Sequence, residues 1–165
     1  MAFPGGNIIR VTPTVFVGTT DDGDVMFNAK EIPNAVSSRG GVSKLHAIYV
    51  IDKDNEAHNM DLVFLETATN LGTVDAAVSI TDSDLAENLI ASFNYDQSDS
   101  SIAFVNSTVS SFTEFDAAGP AGILPLLLQA AGGSTSVYFS AIAREATDFA
   151  ATNDLTFIFH IEYLG

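Results

Sequence analysis

Apolar and polar positions alternate along most of the chain with the two-residue period of β-strands. Residues 42–51 have this period, with Leu45, Ala47, Tyr49 and Ile51 on one side. The opposite side of that segment begins with the polar residues Lys44 and His46 and continues with Ile48 and Val50. Residues 155–163 alternate most regularly, and their apolar side consists of Leu155, Phe157, Phe159, Ile161 and Tyr163. Further β-like segments are 8–17, 25–27, 61–66, 102–109 and 137–143.

One segment, residues 82–93, has a helical period instead. Leu85, Leu89, Ile90 and Phe93 fall on one helical face behind acidic residues at the N-terminal end. We therefore expect one short helix there. Elsewhere, turn-forming residues separate the β-like segments at 21–24, 37–41, 52–55, 96–101, 118–120 and 132–134.

Many short strands with frequent turns and one helix are typical of an antiparallel β-sandwich or jelly-roll-like domain. The chain has 165 residues and contains neither a long linker nor a fixed-period repeat. We predict a mainly β fold in which residues 1–165 form a single domain. The sheet edges of such a domain must be covered by loops or by another chain.

The charge of the chain restricts the classes of partner that it can bind. It has 21 acidic and 6 basic residues and a net charge of -15, which disfavours nucleic acids and anionic membrane surfaces. No apolar run is long enough to predict a membrane-spanning helix. The first residues lack the basic and apolar regions of a secretory signal, so we expect a soluble protein made in the cytosol.

No catalytic constellation is evident in the sequence. His46, His58 and His160 lie far apart, and we interpret them as ordinary strand or surface residues. Cysteine is absent, and no nucleophile elbow or phosphate-binding glycine loop occurs. We predict no catalytic residues, no metal ligands and no cofactor.

Two acidic loops could supply oxygen ligands to a hard cation such as Ca²⁺. They contain Asp21, Asp22 and Asp24 in the first loop, and Asp52, Asp54, Glu56 and Asp61 in the second. Neither matches the twelve-residue calcium loop, and acidic residues are common in turns for backbone reasons. A calcium-dependent carbohydrate-binding module remains an alternative hypothesis.

Two segments are candidates for contacts between subunits. Pro125 cannot donate to a β-ladder, so the apolar run 123–128 is predicted to be an edge strand or an extended arm. Another subunit would cover such an edge, and ordinary burial in the core is the alternative. Residues 1–7 are predicted to form an N-terminal contact arm. The predicted contact residues are Phe3, Pro4, Ile123, Leu124, Pro125, Leu126, Leu127 and Leu128.

Residues 23–36, 40–52 and 60–65 resemble small β-rich virion proteins of tailed bacteriophages, especially marine ones, as do residues 134–138 and 154–157. The resemblance rests on strand and turn motifs and carries no catalytic signature. It implies a capsid decoration or cement protein on the outside of the head, synthesised in the host cytoplasm. Its implied partners are the major capsid protein and further copies of itself, as a dimer or trimer. A tail, neck or receptor-binding component is the alternative role in a virion.

Overall fold

A computed structural model describes residues 5–55, 58–96, 101–113 and 124–165. These residues form twelve strands and one helix, in the order β1 (Gly6–Val11), β2 (Gly18–Thr20), β3 (Val25–Ile32), β4 (Val42–Asp52), β5 (Met60–Leu65), α1 (Asp82–Asn88), β6 (Leu89–Tyr95), β7 (Ser101–Ala103), β8 (Thr108–Thr113), β9 (Leu126–Gln129), β10 (Val137–Ala143), β11 (Thr147–Phe149) and β12 (Leu155–Leu164). The prediction of a mainly β sandwich with one short helix is confirmed.

Two antiparallel sheets make up the sandwich. The six-stranded sheet has the order β1-β12-β4-β8-β7, with β9 paired to β4 beside β8. The four-stranded sheet has the order β3-β10-β5-β6, and β2 pairs with β11 in a small ribbon. Strands adjacent in space are mostly distant in sequence, so the core depends on long-range packing.

Phenylalanines fill the space between the two sheets. Phe139 of the four-stranded sheet lies with its ring centroid 5.0 Å from both Phe157 and Phe159 of the six-stranded sheet. Phe27 and Phe64 join this cluster from β3 and β5. All five are buried, and burying each such side chain contributes roughly 1.5–3 kcal/mol. The alternation predicted for residues 155–163 supplies this core and is confirmed.

A third layer covers the outer face of the four-stranded sheet. Leu71 and Ile80 pack against Val25, Val63 and Leu65 in a second, smaller apolar cluster. The Val25 amide donates a hydrogen bond to the Ala76 carbonyl at 3.0 Å, and this bond holds the segment between Leu71 and Ile80 against the sheet. Helix α1 belongs to this layer and contributes no buried side chain.

The helix prediction is right for residues 82–88 and wrong for residues 89–93. Thr81 caps α1, with its Oγ1 accepting from the Asp84 amide at 3.1 Å. From Leu89 the chain becomes β6 and pairs with β5, which brings the Phe93 ring to 5.1 Å from Phe112 across the sandwich. Sheet pairing and core burial override the helical period here.

The single alternation predicted for residues 42–51 is broken by a β-bulge. His160 pairs with Ala47 and Ile161 with Leu45, which leaves His46 as the extra residue. The strand therefore changes face, and Ile48 and Val50 are buried beyond the bulge. Tyr49 and Ile51, predicted on the same side as Leu45, lie on the outer face instead.

The apolar run at residues 124–128 contributes mainly to the core of its own chain. Among the described strands, β9 pairs with β4 alone, in agreement with an edge strand. Leu124, Leu126 and Leu128 are buried, because alternate residues of the strand face the sandwich interior. Only Pro125 and Leu127 of this run are exposed and available for a contact.

The predicted N-terminal arm overlaps β1. Gly6 and Asn7 pair with Glu162 and Ile161, and the Asn7 side-chain amide donates to the Tyr163 hydroxyl at 3.1 Å. These two residues are therefore held in the six-stranded sheet. Three predicted contact residues lie outside the described part of the chain, namely Phe3, Pro4 and Ile123.

Candidate interaction surface

The outer face of the six-stranded sheet carries apolar side chains that the sandwich core does not bury. We call this surface the open face and define it by Ile8, Tyr49, Ile51, Val109 and Ile158. All five side chains are half-buried or exposed, and Ile8 is 52% exposed. By contrast, the outer face of the four-stranded sheet is covered by the segment that contains α1.

The strand registers place the residues of the open face side by side. Ile158 pairs with Arg10 on one side and with Tyr49 on the other. In the neighbouring row, Ile51 pairs with Val109. Side chains paired across antiparallel strands lie about 4.5–5.5 Å apart at their Cβ atoms, so they form one continuous patch.

The open face differs in charge from the rest of this acidic protein. Arg10, Lys44, His46 and His160 lie on or beside it, and His46 Nε2 is 2.8 Å from a carboxylate oxygen of Glu162. The His160 ring lies 5.0 Å from the Tyr49 ring. The face thus combines an apolar centre with mostly basic neighbours, while the chain as a whole has a net charge of -15.

The hairpin between β7 and β8 exposes further apolar side chains. We call Ile102, Phe104 and Val105 the hairpin tip, and they are 64%, 57% and 95% exposed. The Phe104 amide donates to the Ser107 carbonyl at 2.7 Å, which closes the turn and holds Val105 at its end. Predicted as one strand, residues 102–109 are two strands joined by this turn.

An apolar groove lies between the outer face of the four-stranded sheet and the layer that contains α1. Its volume is about 370 Å³, and its walls include Val63 and Ile142 of the sheet, Leu85 of α1, and the partly exposed Val78 and Leu89. At one end Asp61 forms an ion pair with Arg144 and accepts a hydrogen bond from Asn94 at 2.7 Å. This volume is at the lower end of the range for ligand pockets.

A second histidine–carboxylate pair lies in the interior of the described protein. His58 Nε2 lies 3.7 Å from an oxygen of Asp52, and both side chains are 3% exposed. The His58 ring also packs edge-on against Phe149, with centroids 4.5 Å apart. A general base must reach its substrate directly or through one water molecule, so this pair is placed for structural support.

Two buried acids near that pair have altered pKa values. Burial raises the pKa of Tyr95 well above its ordinary value, and the Asp52 carboxylate raises it further. Burial also raises the pKa of Asp154, as does its hydrogen bond with Asp54. Burial therefore makes ionisation of each group less favourable than it is in water.

The described carboxylates of the second acidic loop have different partners, and Glu56 of that loop lies outside the described residues. The Asp54 side chain accepts from the Ala150 amide at 2.8 Å, while Asp52 lies beside His58 and Asp61 pairs with Arg144. Asp21 and Asp22 are exposed in the first turn. In the described part of the chain, no group of three or more His, Asp or Glu residues is placed to hold a metal ion.

Sequence patterns had not identified the open face. The outward-facing positions of β12 around Ile158 are polar. The apolar Ile158 among them was the feature of the sequence that indicated an apolar outer surface. Tyr49 and Ile51 could not be assigned because the bulge at His46 reverses their side of the sheet. Among the predicted contact residues, Leu127 is exposed, and it pairs with Lys44 of the neighbouring strand β4.

No protein-family model matches the chain, and no curated protein matches it. The structure of a marine algae virus of the order Picornavirales contains a chain that is similar over 94% of this chain and 66% of that one, with 13% identity and a TM-score of 0.26. A TM-score this low does not establish a common fold. Separately, no helix in the described ranges is long and apolar enough to cross a membrane.

Proposed function

We propose that this protein is a non-enzymatic structural component of a virion, and specifically a decoration or cement protein on the outer surface of a tailed-phage head. The observation that carries the proposal is the open face, an apolar sheet surface with basic neighbours on an acidic protein. The resemblance of residues 23–36, 40–52 and 60–65 to phage virion proteins gives the surface its biological setting.

The open face would bind the major capsid subunits. Its apolar side chains favour a partner surface that removes them from water, at about 25 cal/mol per Å² of apolar area buried. Arg10 and Lys44 favour carboxylates around that partner surface. We therefore expect an acidic rim on the capsid site.

Binding across neighbouring capsid subunits would stabilise the shell through mass action. A protein that binds the junction of assembled subunits, and not the free subunits, shifts the equilibrium toward the assembled state. No bond is made or broken in this mechanism. The exposed Leu127 lies on the same outer face and could extend the contact to a neighbouring subunit.

A charge-reversal pair tests the proposed surface. Arg10→Glu places a carboxylate on the open face, whereas Arg39→Glu makes the same change in an exposed turn. Both variants, with the wild-type protein, are titrated onto undecorated heads and sedimented. Arg10→Glu should lower the affinity by about tenfold or more, equivalent to roughly 1.4 kcal/mol, while Arg39→Glu binds as wild type does.

Electron microscopy of decorated particles tests the assigned position. Density for many copies over the head supports a decoration protein. Density for a few copies at one vertex would instead identify the protein as a tail or neck component, and the decoration proposal would be wrong. If the wild-type protein does not bind heads, or both variants bind equally, the open face is not a capsid-binding surface.

A further inference from the structure

The hairpin tip and the apolar groove are complementary features of different surfaces. The tip extends from the β7 edge of the six-stranded sheet, whereas the groove lies on the outer side of the four-stranded sheet. The large exposure of Val105 means that the tip does not occupy the groove of its own chain. Within the described ranges, no other segment of the same chain covers either feature.

The surroundings of the groove restrict what can enter it. Helix α1 on its border carries Asp82, Asp84 and Glu87, and no basic residue lies in its last turn. The walls are mainly apolar, so an entering carboxylate would lose its hydration and meet like charges. Arg144, at one end of the groove, is already paired with Asp61, so an apolar occupant without a carboxylate fits these surroundings best.

The hairpin is the segment of this chain that meets those requirements. Residues 101–113 contain no charged side chain, although the whole chain has 21 acidic residues. Its turn is closed by the Phe104–Ser107 hydrogen bond, so docking would order few additional groups. A groove of about 370 Å³ is large enough for apolar side chains such as those of Phe104 and Val105.

We propose that the hairpin tip of one copy docks into the apolar groove of a second copy. This single contact covers the tip together with Val78 and Leu89 at the groove. Those residues make up half of the exposed large apolar side chains in the described part of the protein. Ile102 of the tip pairs with Val109 at the edge of the open face, whereas Phe104 and Val105 lie in the turn beyond the paired strands. Docking through Phe104 and Val105 therefore leaves the rest of the open face available for capsid binding.

Engineered cysteines test the docking directly, because the chain has no native cysteine. A protein carrying Val105→Cys is mixed with one carrying Val78→Cys and oxidised mildly. The control mixture pairs Val105→Cys with Val17→Cys, whose position is similarly exposed but does not line this groove. The 105–78 disulfide should form at least about tenfold more than the 105–17 disulfide on non-reducing gels.

Sedimentation of charge variants gives a second measurement. Val105→Asp and Val78→Asp should each be monomeric at concentrations where the wild type and Val17→Asp associate. Circular dichroism checks that each variant keeps its β-sheet signal. A monomeric wild type at about 100 μM, or equal yields of the two disulfides, would overturn the proposed docking.

The two proposals fail separately. Val105→Asp should lose self-association and still bind heads through the open face, whereas Arg10→Glu should lose head binding and still self-associate. If Arg10→Glu disrupts self-association and Val105→Asp does not, the second copy contacts the open face and the docking proposal is wrong.

Discussion

Close contact between two glycine turns restricts the backbone at one end of the sandwich. Gly40 has a φ of +67°, and a Cβ atom built on it would lie 3.1 Å from the Gly132 Cα. The Gly40 amide also donates to the Ser134 carbonyl at 2.9 Å. The turn residues recognised at 37–41 and 132–134 therefore pack against each other, a contact that local sequence patterns do not specify.

We expect Gly40→Ala to lower the free energy of unfolding by about 1–2 kcal/mol, because the left-handed conformation is strained for alanine and the added methyl group crowds Gly132. The measurement is urea denaturation. Gly133→Ala is the matched control, since its Cβ would meet open space, and it should change stability by less than about 0.5 kcal/mol. Equal effects of the two substitutions would show that the close approach is unimportant.

Asp154 makes stability depend on pH. Its folded-state pKa is raised above the ordinary 3.8 by burial and by its hydrogen bond with Asp54, partly offset by the Ala151 amide and by Lys53. The folded state therefore holds the proton more tightly than the unfolded state, and this group's contribution decreases as the pH rises from 3.8 through the raised value. The charge is unfavourable at pH 7.

Asp154→Asn should consequently raise the melting temperature at pH 7 and have less effect at pH 4, because the amide resembles the protonated acid and can still accept from the Ala151 amide. Scanning calorimetry at the two pH values measures this difference. Asp148→Asn, at an exposed position, controls for the change in net charge. If the wild type and Asp154→Asn show parallel pH profiles, the carboxyl is not responsible.

At the level of elements, sequence periodicity predicted strands more reliably than it predicted their faces and ends. Residues 155–163 were predicted well because their alternation continues along almost the whole of β12, and the predicted segment 137–143 coincides with β10. Residues 89–93 fit a helical period equally well, and only the partner strand β5 decides their structure. The bulge at His46 arises from pairing with β12, so residues 42–51 alone could not reveal the reversal.

Strand β9 provides a test of which leucines belong to the core. Leu128→Ala should destabilise the protein by about 2–5 kcal/mol, because it leaves a cavity in the sandwich. Leu127→Ala, one residue away, should change stability by less than about 0.5 kcal/mol, because Leu127 is 58% exposed. Guanidinium denaturation of both variants gives the comparison. A similar loss in both would mean that Leu127 is also buried in solution.

At the scale of the whole molecule, composition predicted the character of the surface but not the position of its patches. A net charge of -15 on 165 residues indicated an acidic surface. The open face instead requires strands β1, β12, β4 and β8 to be adjacent, and that order joins the two ends of the chain. The groove likewise depends on residues 71–89 folding back over β5 and β10, which no local motif encodes.

Salt should affect the two proposed contacts in opposite directions. Self-association through the neutral hairpin brings together two copies that each carry a net charge of -15, and their repulsion weakens as the Debye length falls from about 10 Å at 0.1 M to about 3 Å at 1 M. Capsid binding through Arg10 and Lys44 depends on attraction, which the same screening reduces.

We therefore expect the self-association constant, measured by sedimentation equilibrium, to increase between 0.05 and 0.5 M NaCl, while affinity for heads decreases. Val105→Asp controls for non-specific salting out, since it should remain monomeric at both concentrations. A self-association that weakens with added salt would indicate a charge-paired contact, in which the basic neighbours of the open face meet the acidic helix α1 of another copy.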